Sequence, residues 1–320
     1  MKSSNIGGQA VLEGIMMRHQ DMYSVAVRKP DGEIEVKTEP YKSLVKSRIL
    51  KKTPIIRGVF NFIESLVVGM KCLTYSASFF EEEEEEEAPV LTKEEQRAAD
   101  LKKEKQDKIL MGITVAVSIV LSVAIFIMLP YFIAGFLRKV TDVESVIAIA
   151  EACVRLLIFL GYIFLISKMK DIQRVFMYHG AEHKCINCVE HGMDLTVENV
   201  MKSSREHKRC GTSFLLFVMI VSIIFFLFIR VSSPWLRVVV RLLLVPVIAG
   251  VSYEIIRLAG SSDNKFVNLL SKPGMALQRL TTREPDEKMA EVAIAAVEAV
   301  FDWKEYLREN FKDSRGEKEV

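Results

Sequence analysis

Four long apolar runs constrain the fold of this chain more than any other feature. They cover residues 109–137, 143–167, 213–230 and 235–259. Each run has about enough residues to cross the roughly 30 Å hydrocarbon core of a bilayer as a helix, the element that satisfies its own backbone hydrogen bonds there. Half of the chain's residues are apolar. The sequence therefore predicts a mainly α, polytopic helical membrane protein with about four transmembrane helices.

The distribution of positive charge predicts how these runs are oriented. Very short links join the runs in pairs, which gives two transmembrane hairpins at 109–167 and 213–259. Six cations precede the first run between Lys93 and Lys108, and eight lie in the middle segment 168–212. By the positive-inside rule, both termini and the middle segment are predicted to be cytoplasmic. The first thirty residues contain no apolar core of the signal-peptide type.

Charge and cysteine content narrow the classes of partner. Lys plus Arg is 43 against 41 for Asp plus Glu, so no basic excess predicts a nucleic-acid partner. The expected partners are the lipid bilayer and a membrane-associated or small-molecule substrate. The chain has five cysteines, and this odd number does not indicate a disulfide framework.

The N-terminal segment 1–56 combines a glycine-rich start with a hairpin pattern. Three glycines surround Glu13, which is compatible with a flexible start or with a loop that turns Glu13 and Arg18 toward a site. Residues 23–28 and 33–38 alternate around a turn at 30–32. This alternation predicts a small N-terminal β-hairpin element.

Two further segments separate the hairpin from the first apolar run. Residues 57–80 are apolar but contain Glu64 and Lys71, which favours an amphipathic or re-entrant helix at the membrane surface over a spanning one. Residues 81–108 begin with seven glutamates, a solvated acidic linker. Thr92 and Glu95 then form a capping-box pattern that opens a charged helix.

The C-terminal tail, residues 260–320, is predicted to be cytoplasmic. Residues 264–282 have the composition of a mixed loop. Residues 286–311 place apolar side chains near helical spacing after a Pro-Asp start, which predicts an amphipathic helix. Nothing in this tail indicates chemistry.

The middle segment contains the pattern H-x-x-E-H, formed by His179, Glu182 and His183. On a helix, two histidines four residues apart project from one face at a separation that suits a shared metal ion. The carboxylate between them can accept a proton from water while the histidines hold the metal. Two histidines at this spacing are also common on ordinary helix surfaces, so the pattern alone leaves both interpretations open.

The predicted topology brings other polar residues to the same membrane face. His207 and Cys210 come directly before the third apolar run, and Glu254 and Arg257 lie near the cytoplasmic end of the fourth. A catalytic zinc ion usually takes three protein ligands, and His207 or Cys210 could supply the third. Glu254 and Arg257 are site candidates because charges in spans are costly, although they could also neutralise each other.

A structural metal site is the competing interpretation of this segment. Cys185 and Cys188, followed after eighteen residues by His207 and Cys210, have the spacing of a Cys₃His zinc knuckle. A closed knuckle would hold the segment together and perform no chemistry. Spacing by itself does not separate this interpretation from the catalytic one.

Several motifs together resemble one known family, the bacterial YqhQ-like membrane proteins also labelled DUF1385. The resemblance rests on Gly7–Val11, Glu13-Gly14, Met16–Arg18, Tyr178–Lys184, His207, Arg209–Phe214, Pro273-Gly274, Leu277-Gln278, Leu280–Thr282 and Glu284-Pro285. It implies a multi-pass protein of the bacterial cytoplasmic membrane and a metal-dependent enzyme. The family pattern does not require cysteines at positions 185 and 188, which ranks the knuckle below the catalytic interpretation.

The leading hypothesis is a metal-dependent enzyme, most simply a hydrolase, that acts at the cytoplasmic membrane face on a lipid-like or membrane-associated substrate. His179 and His183, with His207 or Cys210, would bind a divalent ion such as zinc. Glu182 would act as general base, and Arg257, Glu254 and Glu13 are further catalytic candidates. The alternatives are a non-catalytic membrane scaffold with a structural metal or polar cluster, and a transporter in which Glu151, Arg155 and Glu254 line a path.

Overall fold

The fold is taken from a computed structural model of the chain, which describes residues 2–45, 47–80, 93–229, 231, 233–261 and 264–315. The chain divides into two compact units. The first unit is drawn from Met1–Phe80, Tyr162–Phe225 and Leu242–Val320, and the second from Glu81–Gly161 and Phe226–Arg241.

The N-terminal residues form a four-stranded antiparallel sheet in the order β1-β2-β3-β4. The strands are β1 (Gly7–Val11), β2 (Gly14–His19), β3 (Met22–Arg28) and β4 (Ile34–Pro40). The predicted hairpin is confirmed as β3 and β4, while the glycine-rich start forms a second hairpin in place of a loop. Glu13 and Gln20, both with φ of 49°, lie in the two tight turns that flank β2.

Helices make up most of the remaining described chain, which confirms the predicted fold class. They are α1 (Arg48–Lys52), α2 (Ile56–Ala77), α3 (Lys93–Val123), α4 (Leu129–Gly135), α5 (Glu144–Ile166), α6 (Lys170–Glu190), α7 (Val197–Lys202), α8 (Gly211–Phe228), α9 (Pro234–Ser261), α10 (Lys265–Thr281), α11 (Glu287–Glu298) and α12 (Trp303–Arg315).

The two central strands of the sheet, β2 and β3, are buried on both faces within the first unit. Ile15 and Met17 belong to a core shared with α6, α7 and α11. Val25 and Val27 pack on the opposite face with Cys72 of α2. Because both faces are covered, β2 reads as a nearly continuous buried stretch rather than an alternating one. Strand β2 therefore lacks the period of two by which a half-exposed strand is recognised.

Four helical stretches are long and apolar enough to cross a membrane, as predicted. Their bounds are Ile109–Lys139, Glu144–Ile166, Gly211–Phe228 and Leu236–Gly260. The first contains a π-helical turn at Ala124–Met128 directly before Pro130. A proline lacks the N–H that would bond four residues back, and such a defect is a common site for a π-bulge. The sidedness of these stretches stays a prediction.

Three details of the sequence-based prediction change. The mixed loop predicted at 264–282 is wrong, because helix α10 covers Lys265–Thr281 and contains Pro273 in its interior. The single helix predicted at 286–311 is two helices, α11 and α12, and Asp286 caps α11 by accepting a hydrogen bond from the Met289 amide. The acidic run 81–87 and the Thr92 capping box lie outside the described residues.

Candidate metal centre

Helix α6 and the residue that precedes α8 bring three ligand atoms together. His179 and His183 stand one turn apart on α6 with ring centroids separated by 4.4 Å. Cys210 lies directly before α8, and its Sγ is 3.2 Å from His179 Nε2. One ligand atom from each of these residues lies within 4.8 Å of the other two. No other group of three or more such ligands is present in the part of the chain that the structure describes.

Backbone carbonyls orient both imidazoles toward this group. Nδ1–H of His179 donates to the Thr281 carbonyl at 2.8 Å, and Nδ1–H of His183 donates to the Arg205 carbonyl at 2.7 Å. A hydrogen bond at one ring nitrogen fixes the tautomer and leaves the other nitrogen as a ligand. His183 Nε2 is buried and has no hydrogen-bond partner. The centre therefore contains an orphaned lone pair where a metal ligand is expected.

Two glycines allow other parts of the chain to approach the helix closely. A Cβ at Gly180 would lie 2.0 Å from the carbonyl oxygen of Arg283. This contact brings the segment after α10 onto α6, where Thr281 can accept the His179 hydrogen bond. A Cβ at Gly8 would lie 2.8 Å from Cδ of Glu182. Strand β1 therefore covers Glu182 only because residue 8 has no side chain.

Gln278 holds the segment that carries Cys210. Its side-chain oxygen accepts from the His207 amide at 2.9 Å, and its Nε2 donates to the His207 carbonyl at 2.7 Å and to Ser213 Oγ at 2.8 Å. Gln278 is fully buried. A buried amide with three hydrogen bonds rigidly fixes the backbone on either side of Cys210.

Glu182 lies beside the three ligands without belonging to their group. Its side chain is buried, and its Oε2 has no hydrogen-bond partner. Burial raises the pKa of Glu182, and the neighbouring His179 and His183 imidazoles only partly oppose this rise. Burial of this kind makes the charged form of a carboxyl more costly, and groups whose pKa is shifted in this way are common at functional sites.

The thiol and the imidazole of the centre polarise each other. Burial would raise the pKa of Cys210, but its interactions with the His179 and His183 imidazoles bring that pKa well below its ordinary value. Burial would lower the pKa of His179, but the Cys210 thiolate raises it to about 9. The thiolate is the form that binds metals, and the surroundings of Cys210 lower the cost of forming it.

His207 lies next to the centre but forms part of another cluster. Its ring centroid is 5.8 Å from that of His183, and its Nε2–H donates to Glu190 Oε2 at 3.3 Å. Arg209 donates to the other oxygen of the same carboxylate. Of the two candidates for a third ligand, the structure therefore brings Cys210 to the histidines and directs His207 toward Glu190.

The other predicted catalytic residues have partners elsewhere. Glu13 accepts hydrogen bonds from Arg174 and from the Tyr178 hydroxyl, the latter at 3.2 Å. Glu254 pairs with Arg57 of α2, and Arg257 lies 3.6 Å from the same carboxylate. None of these three predicted residues, Glu13, Glu254 and Arg257, belongs to the ligand group.

Comparison with known proteins identifies the family. The family model described as "Protein of unknown function (DUF1385)" matches residues 53–303. This chain belongs to the DUF1385 family. It is similar to the protein named "Uncharacterized protein YqhQ" of Bacillus subtilis (strain 168), with 36% identity over 313 residues that cover 96% of each chain. No solved structure matches the chain.

The two remaining cysteines of α6 do not join the centre of this DUF1385 protein. Cys185 is fully buried in the core that contains Ile186 and Val189, and burial raises its pKa well above the ordinary value. The Cys188 thiol donates to the Asp194 carbonyl at 3.3 Å. The described residues thus contain a His-His-Cys group and no Cys₃His knuckle.

Several residues that build the site had no assigned role from sequence reasoning. They are Gly8, Gly180, Gln278 and Thr281, whose contacts are described above. All four fall within the motifs by which the chain resembles the DUF1385 family. Those motifs were the available signal, but spacing alone does not reveal which backbone carbonyl or glycine touches which ligand.

Proposed function

We propose that the chain is a metal-dependent membrane enzyme whose centre is formed by His179, His183 and Cys210. The observation that carries this proposal is the convergence of three ligand atoms within 4.8 Å of one another, with His183 Nε2 buried and lacking any other partner. An unsatisfied buried nitrogen is costly unless a ligand completes it. Two imidazoles and one thiolate form a donor set that suits zinc.

The number of ligands favours a catalytic centre over a purely structural one. Structural zinc sites are usually closed by four protein ligands, whereas catalytic sites have three and leave one position open. A zinc ion bound in this way supplies a Lewis acid and lowers the pKa of water. Glu182, whose Oε2 has no partner, would accept and return a proton beside that position.

The position of the centre in the chain supports a membrane-associated substrate. Cys210 directly precedes α8, one of the four apolar stretches long enough to span a bilayer. His179 is the most exposed of the three ligands, while His183 and Cys210 are buried. Hydrolysis of a lipid-like molecule at the cytoplasmic face is the simplest reaction for such a metal-dependent enzyme. Inverted H-x-x-E-H motifs serve hydrolysis in other enzymes.

Metal analysis of the purified full-length protein tests the centre. We expect about one equivalent of zinc after loading and desalting, and loss of most of it in His183→Ala and Cys210→Ala. His191→Ala is the matched control, because His191 lies at the end of the same helix and is exposed. Equal metal content in all four proteins, or none in the unsubstituted protein, would refute the proposed centre.

A comparison of the unsubstituted protein with Glu182→Gln, at the same metal content, tests catalysis. Glu182→Gln removes the proton acceptor but none of the three ligands, so its zinc content should stay normal. Each protein is incubated with a total bacterial lipid extract, and the products are compared by mass spectrometry. A lipid consumed only by the unsubstituted protein supports the hydrolase proposal. Identical lipid profiles at equal zinc content contradict it for lipid substrates.

A second candidate function is a membrane scaffold that carries a structural metal. The burial of His183 and Cys210, which are 1% and 4% exposed, favours this alternative. A scaffold needs the ligands but not the base. The scaffold hypothesis therefore predicts that Glu182→Gln, at normal abundance and zinc content, fully complements a deletion strain. His183→Ala should not complement the same strain.

A further inference from the structure

The second structural unit contains a charged cluster buried among its apolar helices. Glu151 and Arg155 stand one turn apart on α5, and Arg241 comes from α9. Both guanidinium groups lie 2.6 Å from the same carboxylate oxygen, Oε1 of Glu151. The three side chains are at most 8% exposed. One buried carboxylate thus faces two buried cations.

The surrounding helices contact both arginines of this cluster through a backbone carbonyl and an aromatic ring. Arg155 Nε donates to the carbonyl of Phe126 at 3.2 Å. Phe126 lies in the π-helical turn Ala124–Met128, and Pro130, four residues further on, has no N–H to donate to its carbonyl. Both Arg155 and Arg241 also lie 4.8 Å from the ring centroid of Phe226. These contacts stabilise the two guanidinium charges, which would otherwise be costly to bury among apolar helices.

A cavity of about 420 Å³ opens beside this cluster. Three arginines, Arg138, Arg237 and Arg241, and two glutamates, Glu144 and Glu151, line it. Arg138 pairs with Glu144 at 2.5 Å, and Arg237 donates to the Val231 carbonyl. Since Glu151 already faces both Arg155 and Arg241, the described residues around the cavity carry an excess of positive charge. The volume is in the range of small-ligand sites.

A second cavity, of about 250 Å³, shares Arg237 and Arg241 with the first. Its other lining residues are apolar or aromatic, and they include Phe132 and Val238. Arg237 and Arg241 also lie 5.0 and 5.8 Å from the ring centroid of Tyr131. The two arginines therefore lie between a cavity whose lining includes several charged side chains and an apolar one.

We propose that these two cavities bind one anionic phospholipid, with its phosphate group on Arg237 and Arg241 and part of an acyl chain beside Phe132 and Val238. A phosphate would balance the excess charge, and guanidinium groups match its oxygens in a bidentate geometry. Basic pockets between membrane-spanning helices are a recurrent form of lipid headgroup site. This inference does not depend on the metal centre, whose residues belong to the other unit.

Native mass spectrometry of the delipidated full-length protein in detergent tests this site. The probes are phosphatidylglycerol, phosphatidylcholine with the same acyl chains, and inorganic phosphate. We expect phosphatidylglycerol to bind about tenfold or more tightly than phosphatidylcholine, and Arg241→Gln to remove that preference. Arg237→Gln leaves the Glu151, Arg155 and Arg241 cluster intact, so it gives the same test if Arg241→Gln fails to fold.

Lys139→Gln is the matched control, because Lys139 is an exposed cation next to Arg138 that does not line either cavity. It should bind phosphatidylglycerol like the unsubstituted protein. Val238→Phe narrows the apolar cavity and should weaken binding of phosphatidylglycerol but not of inorganic phosphate. Equal binding of both lipids, equal loss in Lys139→Gln, or phosphate binding as tight as that of the lipid would overturn the proposal.

Discussion

Two carboxylates on helix α6, Glu182 and Glu190, are both buried but differ in their hydrogen-bond partners and in the direction of their pKa shifts. Glu190 accepts hydrogen bonds from the Ser4 amide at 2.7 Å, from Ser4 Oγ at 2.8 Å, from Arg209 and from His207. Glu182 has one oxygen without any partner. Burial raises the pKa of Glu182. Burial acts on Glu190 in the same direction, but the hydrogen bond from His207 and the charge of Arg209 lower its pKa to about 2.

This difference separates a structural charge from a candidate functional one. The surroundings of Glu190 satisfy its carboxylate and stabilise the folded state by linking the N-terminus, α6 and the segment before α8. The surroundings of Glu182 leave its Oε2 without a hydrogen-bond partner next to two histidines and a cysteine. Burial alone would not distinguish the two residues. The number of hydrogen-bond donors around each carboxylate does.

The largest expected effect is the loss of stability in Glu190→Gln. The change removes the charge that Arg209 and His207 face, and breaking a buried ion pair from one side costs about 3 kcal/mol of unfolding free energy. Glu182→Gln should cost less than about 1 kcal/mol, because the amide has nearly the same shape and no hydrogen bond to Oε2 is lost. Unfolding in mixed micelles of increasing SDS content measures both. Similar losses in the two variants would contradict the distinction.

The same pair predicts a difference in pH dependence. Because the pKa of Glu190 in the folded state is about 2, below its ordinary value of 4.5, the unfolded state binds this proton more readily. The stability that Glu190 contributes is therefore present above about pH 4.5 and is lost as the pH falls toward 2. The stability difference between the unsubstituted protein and Glu190→Gln should be constant from pH 6 to 8 and shrink below pH 4.5. A difference that is the same at pH 3 and pH 7 would contradict the pairing.

A smaller effect is expected from Gly8→Ala, which presses on Glu182 alone. The new methyl group would lie 2.8 Å from Glu182 Cδ, so the carboxyl or strand β1 must move, at a cost of about 2 kcal/mol. Gly7→Ala is the matched control, since a Cβ there meets nothing within 4 Å. Thermal unfolding and zinc content of both variants are the measurements. Equal behaviour of the two would show that strand β1 does not hold Glu182 in place.

The smallest effect concerns Cys185, which lies on α6 between the two carboxylates. Cys185→Ala removes one buried sulfur atom from the core and should cost about 1 kcal/mol. Its zinc content should equal that of the unsubstituted protein, whereas Cys210→Ala should lose most of its zinc. Parallel loss of zinc in both cysteine variants would restore the knuckle interpretation.

Local sequence properties were enough to predict much of this fold. The four apolar stretches follow from their length and hydropathy, and β3 and β4 follow from alternation around a turn. The shared face of His179 and His183 follows from helical periodicity. In each case the deciding interaction is made with the surrounding lipid or water, or with a residue a few positions away. The local order of the residues is therefore enough to predict the structure.

Only the tertiary structure decided between residues that the sequence treats as equivalent. His207 and Cys210 are three positions apart before α8, yet Cys210 contacts His179 while His207 contacts Glu190. The glycine-rich start pairs with β2 as strand β1, and there Gly8 packs on Glu182, which is far away in the chain. Glu182 and Glu190 share a helix, and donors from distant segments made one a satisfied ion and the other an unsatisfied carboxyl. These outcomes depend on contacts between distant segments, and such contacts have no local pattern in the sequence.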